Sequence, residues 1–143
     1  MIKCMMLVLT MFLAGMAHSL ERTADFAKNE WMSSSNQCSH ESSHGMHPEV
    51  MEKVQQLRDF MGHPLTLTSA YRCVSHPIEA RKTKPGQHSK GLAVDIAVED
   101  EYMAAKVIKY ALTRLDVVGF AYSKKMRFVH LDWRNGDTVT WNY

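Results

Sequence analysis

Ionisable side chains stand inside apolar segments at two places in this chain, and any fold it adopts has to accommodate them. Asp95 lies between Val94 and Ile96 in a run that reads as a buried strand, so its carboxylate must be paired or coordinated there. Phe128-Val129-His130-Leu131-Asp132 poses the same problem. On a strand, His130 and Asp132 project from one face, an unfavourable place for two such groups without a purpose. Ahead of the first segment, Gln87-His88-Ser89-Lys90-Gly91 sets a histidine on a loop and a glycine that permits a tight backbone path. Two imidazoles and a carboxylate, with a fourth position open to water, form the ligand set of a catalytic zinc; taken singly, His88 and His130 also suit satisfied core histidines.

The chain has 143 residues, 45% hydrophobic and 22% charged, which suits one compact domain and excludes disorder for its body. A formal net charge of +2, from 17 Lys+Arg against 15 Asp+Glu, is too small and too mixed to indicate a nucleic-acid partner. The N-terminus differs in character. Met1-Ile2-Lys3, the uncharged residues 4–17 and then Ala17-His18-Ser19 follow the order of a secretory signal peptide occupying residues 1–19. The apolar run falls short of the roughly 20 residues that span a bilayer. The rest of the chain is therefore expected to be exported, periplasmic or extracellular, without stable membrane insertion; an uncleaved anchor and a core helix are the other readings. Cys38 and Cys73 would remain, and in an exported chain they suggest a disulfide. Free thiols, or a metal site of Cys38 with His40, His44 and His47, are the alternatives.

Residues 20–46 read as a polar, Ser-rich arm, extended or loosely packed and anchored by Trp31, and residues 47–143 as the domain. His47-Pro48-Glu49 opens a helix, because proline suits the first turn. Val50, Val54, Leu57, Phe60 and Met61 give it one buried face, and Gly62-His63-Pro64 ends it. Residues 65–71 favour a strand, residues 72–90 a long functional loop, residues 91–98 a short apolar strand and residues 99–114 a second amphipathic helix. Residues 117–122, 126–133 and 138–143 read as three more strands, with a turn at Ser123-Lys124-Lys125 and a hairpin signal at Asn135-Gly136-Asp137. The predicted class is α+β, a single domain with a mainly antiparallel sheet of about four to five strands packed against two main helices.

His88-x2-Gly91-x-Ala93-x-Asp95, followed by His130-x-Asp132, resembles the motif of the M15 zinc peptidases. That family includes D-alanyl-D-alanine carboxypeptidases and dipeptidases and phage L-alanyl-D-glutamate endolysins. Thr68-Ser69-Ala70-Tyr71-Arg72 is similar to the family's Ser-Gly-Tyr-Arg segment, with Ala70 where glycine is usual. Trp141-Asn142-Tyr143 is similar to an ending common in its small phage and prophage members. The resemblance covers roughly residues 46–143 and implies a hedgehog/D-Ala-D-Ala peptidase-like fold. It further implies Zn2+ held by His88, Asp95 and His130, with Arg72 beside the substrate to hold a carboxylate or a developing oxyanion. Tyr71 is expected to pack rather than react, and Ser69 to form hydrogen bonds on its strand.

In one respect the chain departs from the family. Many members carry Glu or Asp three residues before the last zinc histidine as the base, and here Arg127 stands in that place. Asp132 is the nearest substitute, as general base or as a carboxylate that orients a ligand from behind. A purely structural carboxylate answering Arg127 or Arg134 is the third reading, and His76 and Glu79 are further candidates for the base. The resemblance implies that a monomer hydrolyses a bond in peptidoglycan stem peptides, of D-Ala-D-Ala or L-Ala-D-Glu type. A non-catalytic zinc-binding structural or cell-wall-binding module on the same fold is the alternative, and Arg127 is the feature that supports it.

Overall fold

The structure is a computed structural model that describes residues 22–33, 36–38 and 44–143. The expected signal peptide and His40 lie outside the described residues. Helix α1, Pro48–Met61, starts on its proline and stops at Gly62, whose φ of 73° is left-handed. It buries Val50, Met51, Val54, Leu57 and Met61. Helix α2, Glu101–Arg114, is capped by the Asp100 carboxylate, which accepts the Met103 backbone N–H at 2.7 Å, and it buries Ala104, Val107 and Ala111. Phe60, expected in the buried face of α1, is 44% exposed. It serves the rim between the helices instead, stacked on Tyr110 with centroids 3.9 Å apart and with the Lys106 ammonium over its ring.

Five strands form one sheet in the order β1 (Leu67–Ser69), β2 (Ala93–Ala97), β4 (Phe128–Asp132), β3 (Gly119–Ser123), β5 (Val139–Asn142). The α+β class and the mainly antiparallel sheet hold: β1–β2, β2–β4 and β3–β4 are antiparallel, and β3–β5 is parallel. The hairpin expected at Asn135-Gly136-Asp137 does not form. β4 is already paired on both edges, by β2 and β3, so the following strand passes the end of β3 and pairs with its outer edge.

The central strands divide their side chains between two faces. Val94, Ile96, Val129 and Leu131 join the apolar faces of both helices in one hydrophobic cluster. Alternation sends Ala93, Asp95, His130 and Asp132 to the other side.

The described part of the arm is built into this body. Phe26 and Trp31 are buried with ring centroids 5.1 Å apart, and Met32 bridges Tyr71. The Ser33 and Ser69 hydroxyls share a hydrogen bond of 2.6 Å. Cys38 and Cys73 form a disulfide across 35 residues, which removes Cys38 from any metal site. Among the described residues no helix is long and apolar enough to cross a membrane.

The disulfide ties the arm to the residue after Arg72, so its loss should be felt by the whole unit. Replacing Cys38 and Cys73 together by serine should lower the unfolding free energy by about 3–4 kcal/mol, the loop-closure estimate for that separation. Denaturant unfolding reads this as a lower midpoint; an unchanged midpoint would show that Phe26 and Trp31 hold the arm by themselves.

Candidate functional site

The pairing of β2 with β4 sets Asp95 opposite His130, so the two side chains lie next to each other on one face of the sheet. His88 arrives from a short 3-10 turn, His88–Lys90, that closes on Gly91. Gly91 has φ of 70°, and a Cβ there would lie 1.9 Å from the Gly45 carbonyl oxygen, so only glycine lets the chain turn into β2 at this place. His88 Nδ1–H donates to the Ala70 carbonyl at 2.7 Å, which leaves Nε2 bare. That Nε2 lies 3.2 Å from His130 Nδ1 and 3.3 Å from Asp95 Oδ1. His130 Nδ1 and Asp95 Oδ1 are 2.7 Å apart.

A second layer of side chains fixes this triangle. His130 Nε2–H donates to Asp132 Oδ2 at 3.1 Å, on the side of the ring away from Asp95. Asp132 is fully buried, and the strands flanking it supply small partners, Ala93 on β2 and Gly119 on β3. A Cβ at Gly119 would come within 2.2 Å of Asp132 Oδ2, so this glycine makes room for the carboxylate. Arg134 clamps Asp132 through Nε to Oδ1 at 2.7 Å and Nη2 to Oδ2 at 2.5 Å, a bidentate fork. Arg72 does the same work behind Asp95: Nη2 donates to Oδ2 at 2.8 Å and Nε to the Ser69 hydroxyl at 2.8 Å. An irregularity in β1 between Leu67 and Ser69 brings Ser69 opposite Asp95, where it can receive that bond.

The electrostatics follow from these contacts. Burial disfavours charge on Asp95, but when a proton occupies the triangle the hydrogen bonds and charge that His130 and His88 then turn on Oδ1 outweigh it and hold the carboxyl well below the usual carboxylate range. Asp132 is held low as well, against burial, by its hydrogen bonds from Arg134 and His130. Burial would lower His130, yet its bonds to Asp132 and Asp95 keep it above the ordinary histidine value.

The donor set tests whether a metal fits. With the His130 proton on Nε2, the bare Nδ1 faces a carboxylate oxygen at 2.7 Å and the bare Nε2 of His88 at 3.2 Å. Three acceptor atoms turned on one another are stable only around a cation, whether a proton or a metal ion. All three lie within 4.8 Å of one another, as a metal's ligands must. His88, Asp95 and His130 fit a divalent ion.

The triangle lines an open cleft of about 840 Å³. One wall carries Phe128, Trp141 and Tyr143, with the Trp141 ring 5.0 Å from the His130 ring and under the Arg134 guanidinium. Arg72, His76, Lys82, Gln87 and Arg134 supply polar lining. Arg127 is exposed in the turn before β4 with φ of 51° and does not line the cleft. Glu79 is buried but fully engaged, by Lys82 Nζ at 2.7 Å, the Gly86 N–H at 2.9 Å and the Ser89 hydroxyl at 3.3 Å. The arrangement thus brings together His88, Asp95, His130, Asp132 and Arg72, and leaves Arg127 and Glu79 outside. Ser69 forms the hydrogen bonds expected of it on its strand, and Arg134 and the Ala70 carbonyl complete the arrangement; the carbonyl is a backbone group that no side-chain pattern marks.

Because Asp132 fixes the proton on His130 Nε2, weakening that acceptor should be felt at the metal. Asp132→Asn should lower zinc affinity about 10- to 100-fold, as measured by competition with a chromophoric chelator. Wild-type affinity in that variant would show that His130 is oriented without the carboxylate.

A search of curated proteins finds no match to this chain. The family model described as Peptidase M15 matches residues 22–132, a stretch that begins in the arm, includes all three members of the triangle and ends on Asp132. The chain belongs to the M15 peptidase family.

Proposed function

We propose that this protein is a zinc-dependent peptidase that cuts a bond in peptidoglycan stem peptides. The observation that carries the reading is the triangle of His88 Nε2, Asp95 Oδ1 and His130 Nδ1, three ligand atoms that converge within 4.8 Å of one another on the wall of an open cleft. These residues would hold zinc, which when bound polarises a carbonyl and lowers the pKa of water to about 7. The other groups keep the ligands in place. Asp132 holds the proton on His130 Nε2, and Arg72 keeps Asp95 Oδ2 occupied so that Oδ1 is the atom turned to the histidines. Asp132 is assigned this orienting role and not that of the base, since both oxygens are taken and it sits behind His130. Arg72, Lys82 and Arg134 line the cleft, each also paired with a carboxylate (Asp95, Glu79 and Asp132), and their remaining N–H groups suit the carboxylates and carbonyls of stem peptides. The bond is of D-Ala-D-Ala or L-Ala-D-Glu type, and the protein acts after export.

A second reading, a non-catalytic zinc-binding or cell-wall-binding module, has one observation in its favour. Glu79, Asp95 and Asp132 all have both carboxylate oxygens engaged, and Arg127 stands away from the cleft. No uncommitted carboxylate lines the cleft among the described residues.

Incubation with purified peptidoglycan separates the two. Mass spectrometry should find released D-alanine or newly exposed amino termini, abolished by a chelator and restored by zinc. His88→Ala should lose both zinc and release. Intact muropeptides beside one equivalent of bound zinc would overturn the peptidase reading in favour of the module.

A further inference from the structure

The N-terminal arm reaches the site through a strip at residues 31–33, laid beside the backbone that runs on from β1. The Tyr71 N–H donates to the Trp31 carbonyl at 3.0 Å, the Ser33 N–H donates to the Tyr71 carbonyl at 2.8 Å, and Met32 bridges Tyr71 in parallel. Ser33 adds its side chain to this pairing. Its Oγ accepts the Ala70 N–H at 3.0 Å and shares a hydrogen bond of 2.6 Å with Ser69 Oγ. Ser33 is buried, and among the described residues it is the one member of the arm that lines the cleft. The family match begins at residue 22, so it takes in this strip together with the three ligands.

Two lines of hydrogen bonds run from this strip to members of the triangle. The first passes from Ser33 Oγ to Ser69 Oγ, which accepts Arg72 Nε–H at 2.8 Å, and Arg72 Nη2 then donates to Asp95 Oδ2 at 2.8 Å. The second is the peptide group between Ala70 and Tyr71: its N–H is held by Trp31, and its carbonyl takes the His88 Nδ1–H at 2.7 Å. β1 alone is a weak support for either line. It has three residues, and its pairing with β2 shifts register between Leu67 and Ser69. Without Ser33 Oγ, the buried Ala70 N–H loses its acceptor and Ser69 Oγ keeps only Arg72, which leaves the serine free to rotate and Arg72 Nε less firmly held.

We propose that Ser33 is a positioning residue for the metal site: its hydroxyl fixes Ser69, Ser69 fixes Arg72, and Arg72 fixes the orientation of Asp95 that turns Oδ1 to the histidines. The inference rests on zinc binding at the triangle and not on peptide hydrolysis. It makes the arm a part of the site and not only of the core, and it gives the Cys38–Cys73 disulfide the task of keeping that part in place.

The test measures zinc affinity by competition with a chromophoric chelator, at a temperature where every variant is folded, so no turnover is required. Ser33→Ala should weaken zinc binding about fivefold, the worth of one hydrogen bond. Ser33→Thr, which keeps the hydroxyl, should stay within about twofold of wild type. Because the two serines act in series, Ser33→Ala combined with Ser69→Ala should bind zinc no more weakly than Ser69→Ala alone. Val54→Ala truncates a fully buried side chain of α1 in the hydrophobic cluster; it should lower the melting temperature and leave zinc affinity unchanged. Wild-type affinity in Ser33→Ala, a Ser33→Thr as weak as Ser33→Ala, or additive losses in the double variant would each overturn the role of Ser33 while the metal site stands. An equal loss in Val54→Ala would also overturn it, since affinity would then only follow stability. No zinc binding by the wild type overturns both the role of Ser33 and the metal-binding reading.

Discussion

His130 Nδ1 and Asp95 Oδ1 stand 2.7 Å apart with the second imidazole, His88 Nε2, 3.2 and 3.3 Å from them. Each of these atoms is an acceptor once the proton of its ring is traced to the other nitrogen. Such a cluster, buried to within a few per cent, is repulsive in itself, and only a positive charge between the three atoms makes it stable. Much of the surrounding structure serves to keep the cluster from relaxing. The Ala70 carbonyl takes the His88 proton, Asp132 takes the His130 proton, and Arg72 occupies the other oxygen of Asp95.

The fold supplies this at modest length by placing each supporting group on an element fixed for another reason. β2 and β4 are held in register by the apolar residues that alternate with the site, Val94 and Ile96 against Val129 and Leu131, which the helices cover. The same register fixes Asp95 beside His130. Gly119 and Ala93 leave the space that Asp132 fills, and Gly91 allows the sharp entry from His88 into β2. Arg72 stands one residue before a disulfide cysteine, so the arm and the support of Asp95 are mechanically one unit.

Much of this was legible in the sequence, for physical reasons that differ by element. Helix α1 announced itself through Pro48, Gly62 and apolar residues at helical spacing, because capping and burial are local demands. Asp95 and His130 were legible as candidates because ionisable residues between Val94 and Ile96, or between Val129 and Leu131, must be paired or coordinated, whereas His88, on a loop, joined them through the motif as a whole. The place of β5 was not. A turn signal reports local backbone preference, whereas the partner of β5 was decided by the occupancy of both edges of β4, a property of the assembled sheet. Phe60 misled in a similar way, since helical spacing does not distinguish the core from a rim where Tyr110 offers a stacking partner. Trp31 and the Cys38–Cys73 disulfide were legible as anchors of the arm, whereas its polar composition obscured the burial of Phe26. The role of Asp132 was undecided in sequence because a base, an orienting carboxylate and a structural partner of Arg134 all require the same residue on the same strand face. In the structure its carboxylate meets both His130 Nε2 and the Arg134 guanidinium.

The most direct test of the central claim is X-ray absorption spectroscopy at the zinc edge on protein loaded to saturation, alongside a count of bound metal. The expected result is one zinc per chain, with only nitrogen and oxygen neighbours at about 2.0–2.1 Å and the outer scattering of two imidazoles. Loss of one imidazole's scattering in His130→Ala would assign the second ring. Sulfur in the coordination shell, scattering without imidazole, or no stoichiometric binding would contradict the claim that these three side chains exist to hold a metal ion.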